Sequence, residues 1–489
     1  MTTFEQALHI FRKDSRHLRF EIAGVLILFL ILVLSGVQSW ESLQERGSAD
    51  PDSEGPLSVL LPIAWCLLIA RAIQTEALPG DRHFWLTRPY SRTGLILSKA
   101  LFIGAFINLP FLVAQAAIVV FDGLPLFTNL SGLLWNQLLV TVLLLLPVAA
   151  IAALTRNLAQ FLPAVVLCTG LLAVPAFEHN SFGDLEWIRS IFGFTIVFAI
   201  AALVLWRQYR LRRSGNTAFL ALGATVAGVI LYLSLPHSLA FGIQSKLIGS
   251  RDSQFALRLA PAEPRKADTQ TPNRYQQRLA LPIAVSGPGI EDLHISALRV
   301  TFKTLSGITR HQSSKVDVKD KKLVQTSSLD RTFFDAAKDA PVSLQAEYYV
   351  IQFANVRSTE VPLDGTPVYI AGPGQCGVVA GYDQRTFVCR SAFRRPKPFV
   401  SERIEGPEEH HRRWDSYSPF PAQLRIYPVV ARTYRLLGRS AGELAPAVPE
   451  RPATLSVREP VAYFRYKLEA ANVRLADYAI SEPKEDESQ

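Results

Sequence analysis

The chain lacks a phosphate-cradling loop: the pattern GxxxxGK[ST] is missing and the dipeptide Gly-Lys occurs nowhere. Any ATP hydrolysis tied to this protein must come from another polypeptide. There is no HExxH, and the four cysteines show no CxxC spacing, which leaves little basis for a zinc site. No DNA- or RNA-binding motif accompanies the net charge of +9, so that charge is not read as a nucleic-acid footprint. No apolar run carries a pair of acidic residues, which removes support for a proton-driven pump or antiporter. After about Phe241 there are no long apolar runs, so the second half reads as soluble.

What is present is asymmetric. The hydrophobic share of 49% is ordinary for a soluble protein, but it is concentrated before Phe241. Four regions follow: residues 1–19, a membrane region over 20–240, an external region over 241–480, and an acidic tail over 481–489 that reads as disordered. Residues Thr3 to Arg19 form an amphipathic pattern, with Phe4, Leu8, Phe11 and Leu18 near a 3.6 period and Arg12, Lys13, Arg16 and Arg19 making it basic. Such a helix lies in the membrane interface, although a plain positive flank before the first span would look similar.

Seven apolar runs follow at Phe20–Val37, Leu57–Ile73, Leu97–Phe121, Gly132–Leu154, Leu158–Phe177, Ile191–Trp206 and Thr217–Leu239. Several approach the ~20 residues that cross a bilayer, and the sixth is short. The first run is also compatible with a cleavable signal peptide, but its flank from Ser35 to Glu41 is a poor cleavage site, so an uncleaved span is preferred. Near the span ends, fourteen Lys and Arg fall on the N-terminal side and only Arg46 and Arg189 on the other. The positive-inside rule then places the N-terminus in the cytoplasm and everything after Phe241 outside. Within the runs, Arg71 suits snorkelling, while Asn108, Gln115, Asn136 and Gln137 suit either a substrate path or hydrogen bonds between packed helices. Pro110, Pro147 and Pro163 permit bending.

The second half reads as short strands at Ala256–Ala260, Gln276–Val285, His294–Lys303, Val342–Phe353, Pro367–Ala371, Gly377–Tyr382, Thr386–Ala392, Gln423–Arg432 and Val461–Glu469. This spacing predicts an all-β domain, sandwich-like, with Gly406–Pro419 as a loop. Cys66 and Cys168 sit in apolar runs as small apolar residues. Cys376 and Cys389 flank a predicted hairpin, and a disulfide between them suits the periplasm or cell exterior. A GxSxG match at Gly438–Gly442 lacks the strand and helix a nucleophilic Ser440 needs. The run Glu408–Asp415 holds His410 and His411, but adjacent histidines point apart, so a solvated loop is expected there. No catalytic residue, metal or cofactor is predicted.

Between the second and third runs lies Gln74–Ala100, which carries Arg82, His83, Arg88, Arg92 and Lys99 together with Phe84 and Trp85. Asp81 can cap a short helix over Arg82–Leu86, Pro89 stops it, and Ser91 can cap the next. A basic loop that only fixes topology would share this composition. The segment Glu76, Phe84 to Arg92 (FWLTRPYSR) and Lys99 resembles the cytoplasmic loop of ABC-2 type transporter permeases. In that family an acidic residue precedes L-x-x-P-hydrophobic-S-R, and a Lys enters the third span. The resemblance covers about the first half of the chain, including the N-terminal interfacial helix. It implies an exporter's membrane subunit, paired with another permease as a homo- or heterodimer and driven by a separate cytoplasmic ATPase at a bacterial inner membrane. It implies that Asp81, Arg82, Phe84, Trp85, Arg88, Pro89 and Ser91 form the ATPase-docking loop. The seventh run and the large external domain depart from the family's usual six spans. A membrane-anchored external binding or sensor protein without transport activity is the competing expectation, and an external enzyme is a third.

Overall fold

A computed structural model of the chain describes residues 2–37, 40, 55–75, 91–173, 186–211, 214–248, 255–262, 275–287, 293–304, 307, 309–312, 315–319, 322–362, 364–370, 373–380, 385–392, 400–405, 414–418, 425–435 and 452–480. The chain forms two compact units. The first comprises Met1–Phe177, Arg189–Leu235 and Val356–Val457, and the second comprises Glu178–Ile188, Pro236–Asn355 and Arg458–Gln489.

In the first unit, α1 (Thr3–His17) starts on a capping box. The Thr2 hydroxyl accepts from the Glu5 N–H, and Glu5 accepts from the Thr2 N–H at 2.7 Å. Ala7, Ile10 and Asp14 are buried along one stripe of α1, at helical spacing. Next, α2 (Arg19–Gly36) buries Ile22, Val25, Phe29 and Leu32, while its opposite face exposes Leu26, Ile27, Leu30 and Leu34. A helix apolar all round at 18 residues spans ~27 Å, close to a bilayer's hydrocarbon core. The following helices are α3 (Leu57–Gln74), α4 (Arg92–Phe121), α5 (Leu126–Leu154), α6 (Leu158–Ala173), α7 (Glu186–Leu211) and α8 (Ser214–Leu233).

Among the described residues, five helices are long and apolar enough to cross a membrane: α2, α3, α4, α5 and Ile188–Tyr209 within α7. The predicted short sixth run lies in α7, a helix of 26 residues. The fifth and seventh runs fall in α6 and α8, whose apolar stretches are shorter. Phe29, Trp65 and Phe111 meet at the bundle's centre, with centroids 5.0 to 6.0 Å apart, and draw α2, α3 and α4 together.

The same unit holds an antiparallel sheet of order β13-β10-β9-β8. Its strands are β8 (Val368–Ile370), β9 (Gly374–Ala380), β10 (Arg385–Ala392) and β13 (Val429–Arg435). Cys376 faces Cys389 directly across β9 and β10, and the two form a disulfide with their Cα atoms 4.1 Å apart. Gly374 has φ +92°, and a Cβ there would stand 2.0 Å from the Arg390 carbonyl oxygen, so only glycine fits. Replacing both cysteines with Ala should lower stability by about 2–5 kcal/mol, seen as a lower melting temperature under non-reducing conditions. An unchanged melting temperature would contradict this. The strands β11 (Val400–Glu405) and β12 (Trp414–Ser418) pair as a hairpin.

The second unit contains α9 (His237–Ile248), β1 (Ala256–Leu259), β2 (Gln276–Ser286), β3 (Leu293–Thr304), β4 (Thr309–Gln312), β5 (Lys315–Lys319) and β6 (Lys322–Asp330). A short helix, α10 (Arg331–Ala337), follows Asp330, whose carboxylate accepts from the Thr332 N–H. The sheet order is β1-β2-β6-β5, all antiparallel. Two long strands, β7 (Val342–Val361) and β14 (Ala453–Val473), begin or end here. Leu279, Leu281 and Ile283 of β2 share one core with Phe302 of β3 and Leu344, Ala346 and Tyr348 of β7. Their spacing of two places each set on one face.

Three expectations need correction. Part of the predicted loop Gly406–Pro419 is the strand Trp414–Ser418, hidden by its polar composition. The strand placed at Gln423–Arg432 is Val429–Arg435, because Pro428 cannot donate to the ladder and pairing with β10 begins after it. The region is not all β, since α10 interrupts it and α9 extends past Phe241.

Candidate functional site

The first unit's polar side chains form a seam along α4, from Ser91 to Asp122. At the Ser91 end, the Ser91 hydroxyl caps α4 by accepting from the Gly94 N–H at 3.1 Å. The Ser91 N–H donates to Gln6 Oε1 of α1 at 3.1 Å. About two turns further, Lys99 Nζ donates to Asp14 Oδ2 at 2.7 Å and to the Ala72 carbonyl at 2.8 Å. The Lys99 and Asp14 side chains are 6% and 3% exposed. One buried ammonium thus joins α1, α3 and α4 about two turns into α4. Arg71 of α3 reaches Glu21 of α2 at 3.3 Å, in a half-exposed pair.

Midway, both α4 and α5 contain a wide five-residue turn, at Gly104–Asn108 and Thr141–Leu145. Each closes with an N–H donated five residues back, Leu109 to Gly104 and Leu146 to Thr141. The cause is local: Pro110 and Pro147 follow at once, cannot donate, and crowd the carbonyl four residues earlier. The turns face each other, since the Thr141 hydroxyl lies 3.4 Å from Asn108 Oδ1 and donates to the Gln137 carbonyl at 2.8 Å. Paired turns of this kind are bending points in otherwise continuous helices.

At the far end, Gln115, Asn136 and Gln137 are buried. Gln137 Nε2 donates to Gln115 Oε1 at 3.4 Å. Gln115 Nε2 donates to the Ile426 carbonyl at 3.0 Å, and Asn136 Nδ2 donates to the Arg425 carbonyl at 2.9 Å. The Arg425 N–H returns to Asn136 Oδ1 at 3.4 Å. Ile426 is 2% exposed within the helix-bundle core. About two turns on from Gln115, Arg390 Nη2 donates to Asp122 Oδ2 at 2.7 Å, with side chains 3% and 1% exposed. Burial pushes the Arg390 guanidinium below its ordinary pKa, and Asp122 opposes that shift.

Of the sequence-predicted site residues, Asp81, Arg82, Phe84, Trp85, Arg88 and Pro89 lie outside the described residues, as do the Glu408–Arg413 part of the histidine run and the GxSxG stretch. Ser91 is the predicted cap. Asn108, Gln115, Asn136 and Gln137 are brought together on α4 and α5. Sequence reasoning missed Asp14, Asp122, Arg390 and the Arg425–Ile426 backbone. Asp14 left a signal: it falls on the same stripe as Ala7, Ile10 and Leu18, where an acid needs a partner. Among the described residues no three His, Cys, Asp or Glu side chains are grouped to hold a metal ion. No protein-family model matches the chain, and no curated protein matches it.

Proposed function

We propose that this chain is the membrane-spanning permease subunit of an ABC-2 type exporter, driven by a separate cytoplasmic ATPase. The carrying observation is α4: it is capped at Ser91, the last residue of the docking loop in this reading, is seated by Lys99, has a wide turn at Gly104–Asn108 and is capped at Asp122. A push on the loop would therefore act on one continuous helix that reaches the opposite end of the bundle. In this reading all seven apolar runs cross a bacterial inner membrane, the N-terminus is cytoplasmic, and the β region is a sandwich-like periplasmic domain. Two permease subunits pair. ATP closes the ATPase dimer, the Asp81–Ser91 loop moves, and α4 and α5 bend about their facing turns to switch access across the membrane.

The test is a double substitution, Phe84→Ala with Trp85→Ala. Buried aromatic anchors in interfaces are worth roughly 2 kcal/mol or more each, so the pair should abolish co-purification of the ATPase. Membrane insertion should persist, because the other basic segments still specify orientation. Retention of the ATPase by the double variant would remove the docking role, and a membrane-anchored binding protein would take the exporter's place.

A further inference from the structure

The amides of Gln115, Asn136 and Gln137 form a seat at one end of the polar seam, and what fills it is backbone. Residues 425–428 form no strand. Their polar groups must find partners elsewhere, and they find them in side chains. Asn136 pairs with both main-chain groups of Arg425, as one strand residue pairs with another. Gln115 takes the next carbonyl, at Ile426. The Ile426 side chain enters the apolar core, and the Tyr427 ring packs beside it, 3.3 Å from where a Cβ on Gly36 would stand. Gly36 leaves room for Ile118, whose Cδ1 would stand 2.8 Å from that Cβ, and for the tyrosine beside it.

One acceptor in the seat is not used. Gln137 Oε1 is buried and has no hydrogen-bond partner among the described residues. Leaving such an oxygen unmatched is costly, so the seat offers one more contact than Arg425–Tyr427 takes.

We propose that this seat is a binding site for an extended polypeptide segment with an aliphatic residue followed by an aromatic one, and that Arg425–Tyr427 occupies it as an internal ligand. The seat reads two successive backbone carbonyls and one N–H, and its spare acceptor takes a further donor from the incoming chain. The internal segment is held next to the seat by β13 and by the Asp122–Arg390 pair, so an external peptide must compete with a tethered one. This site does not depend on the chain's partnering an ATPase.

The experiment uses the full chain in nanodiscs and a capped, fluorescent hexapeptide with the sequence of Arg425 to Val430. At saturating peptide, hydrogen exchange at Arg425–Tyr427 should rise at least ~tenfold as the internal segment is displaced. Ile426→Ala with Tyr427→Ala weakens the internal occupant, and the peptide should bind this variant at least ~tenfold more tightly than the parent. Adding Asn136→Leu should remove that gain. Unchanged exchange in the parent at peptide concentrations up to solubility would overturn the proposal, and so would peptide binding that Asn136→Leu leaves intact. The parent measurement decides the matter alone if the loosened variant does not fold.

Discussion

Replacing Lys99 with Met should destabilise the helix bundle by about 3–5 kcal/mol, because it leaves the Asp14 carboxylate buried without its cation. The same change removes one of two donors to the Ala72 carbonyl, which accepts from Lys99 Nζ at 2.8 Å and from the Thr75 hydroxyl at 3.1 Å. Asp14→Leu alone should cost a comparable amount by stranding the ammonium. The double variant Asp14→Leu with Lys99→Met should recover most of the loss, since an apolar pair of similar volume escapes the desolvation cost. The readout is thermal unfolding in detergent followed with a thiol-reactive dye in a Cys168→Ala background, so that the dye reports on the free Cys66 as the bundle opens. Additive losses in the double variant would show that the two residues do not interact. In the exporter reading the pair has a further consequence. It fixes the start of α4 against α1 and α3, so the single variants should also weaken coupling to the ATPase.

The second large effect is expected at Asp122 and Arg390. Asp122→Asn keeps the shape but leaves the guanidinium charge buried, at a cost of about 3–5 kcal/mol. Arg390 lies next to Cys389 on β10, so the substitution acts on the strand that carries the disulfide. Limited proteolysis should show β10 and β13 cut faster than in the parent, with the helices preserved. Asp122→Leu with Arg390→Met should restore resistance. Equal proteolysis in Asp122→Asn and parent would show that the apolar contacts around Ala392, with Val119, Leu124 and Leu133, hold the strand without the charge pair.

The membrane helices were legible because composition alone marks them: a segment such as Arg19–Gly36 is apolar on every face, and nothing else in sequence looks like that. The strands with clear alternation, such as Gln276–Ser286, were legible for a similar reason. Lys315–Lys319 was not, because this edge strand, KVDVK, has only two apolar positions, too few for alternation to stand out among charged residues. The disulfide was readable from two cysteines flanking one hairpin. Four polar residues of the seam, Asn108, Gln115, Asn136 and Gln137, stood out as polar in apolar runs, but the backbone partners of Gln115 and Asn136 did not. Arg425 and Ile426 contribute backbone, which carries no residue-type signature, and they lie about 290 to 310 positions away from Asn136 and Gln115. Asp122 and Arg390 are similarly remote, and a single charge after an apolar run looks like any span end. The wide turns were foreshadowed only by Pro110 and Pro147, whose effect depends on how the neighbouring helix receives the bend.

The most direct measurement of the central claim is ATP hydrolysis by this chain purified from its own membranes under mild detergent, with and without its bound partner. The exporter reading predicts vanadate-sensitive hydrolysis in the complex and none in the chain stripped of its partner, because the chain has no phosphate loop. It also predicts at least ~tenfold less hydrolysis in preparations of the Phe84→Ala, Trp85→Ala variant, which follows if the two anchors together hold more than the ~1.4 kcal/mol that a tenfold change in binding represents. Hydrolysis by the stripped chain, or a complex with no ATPase in it, would contradict the account.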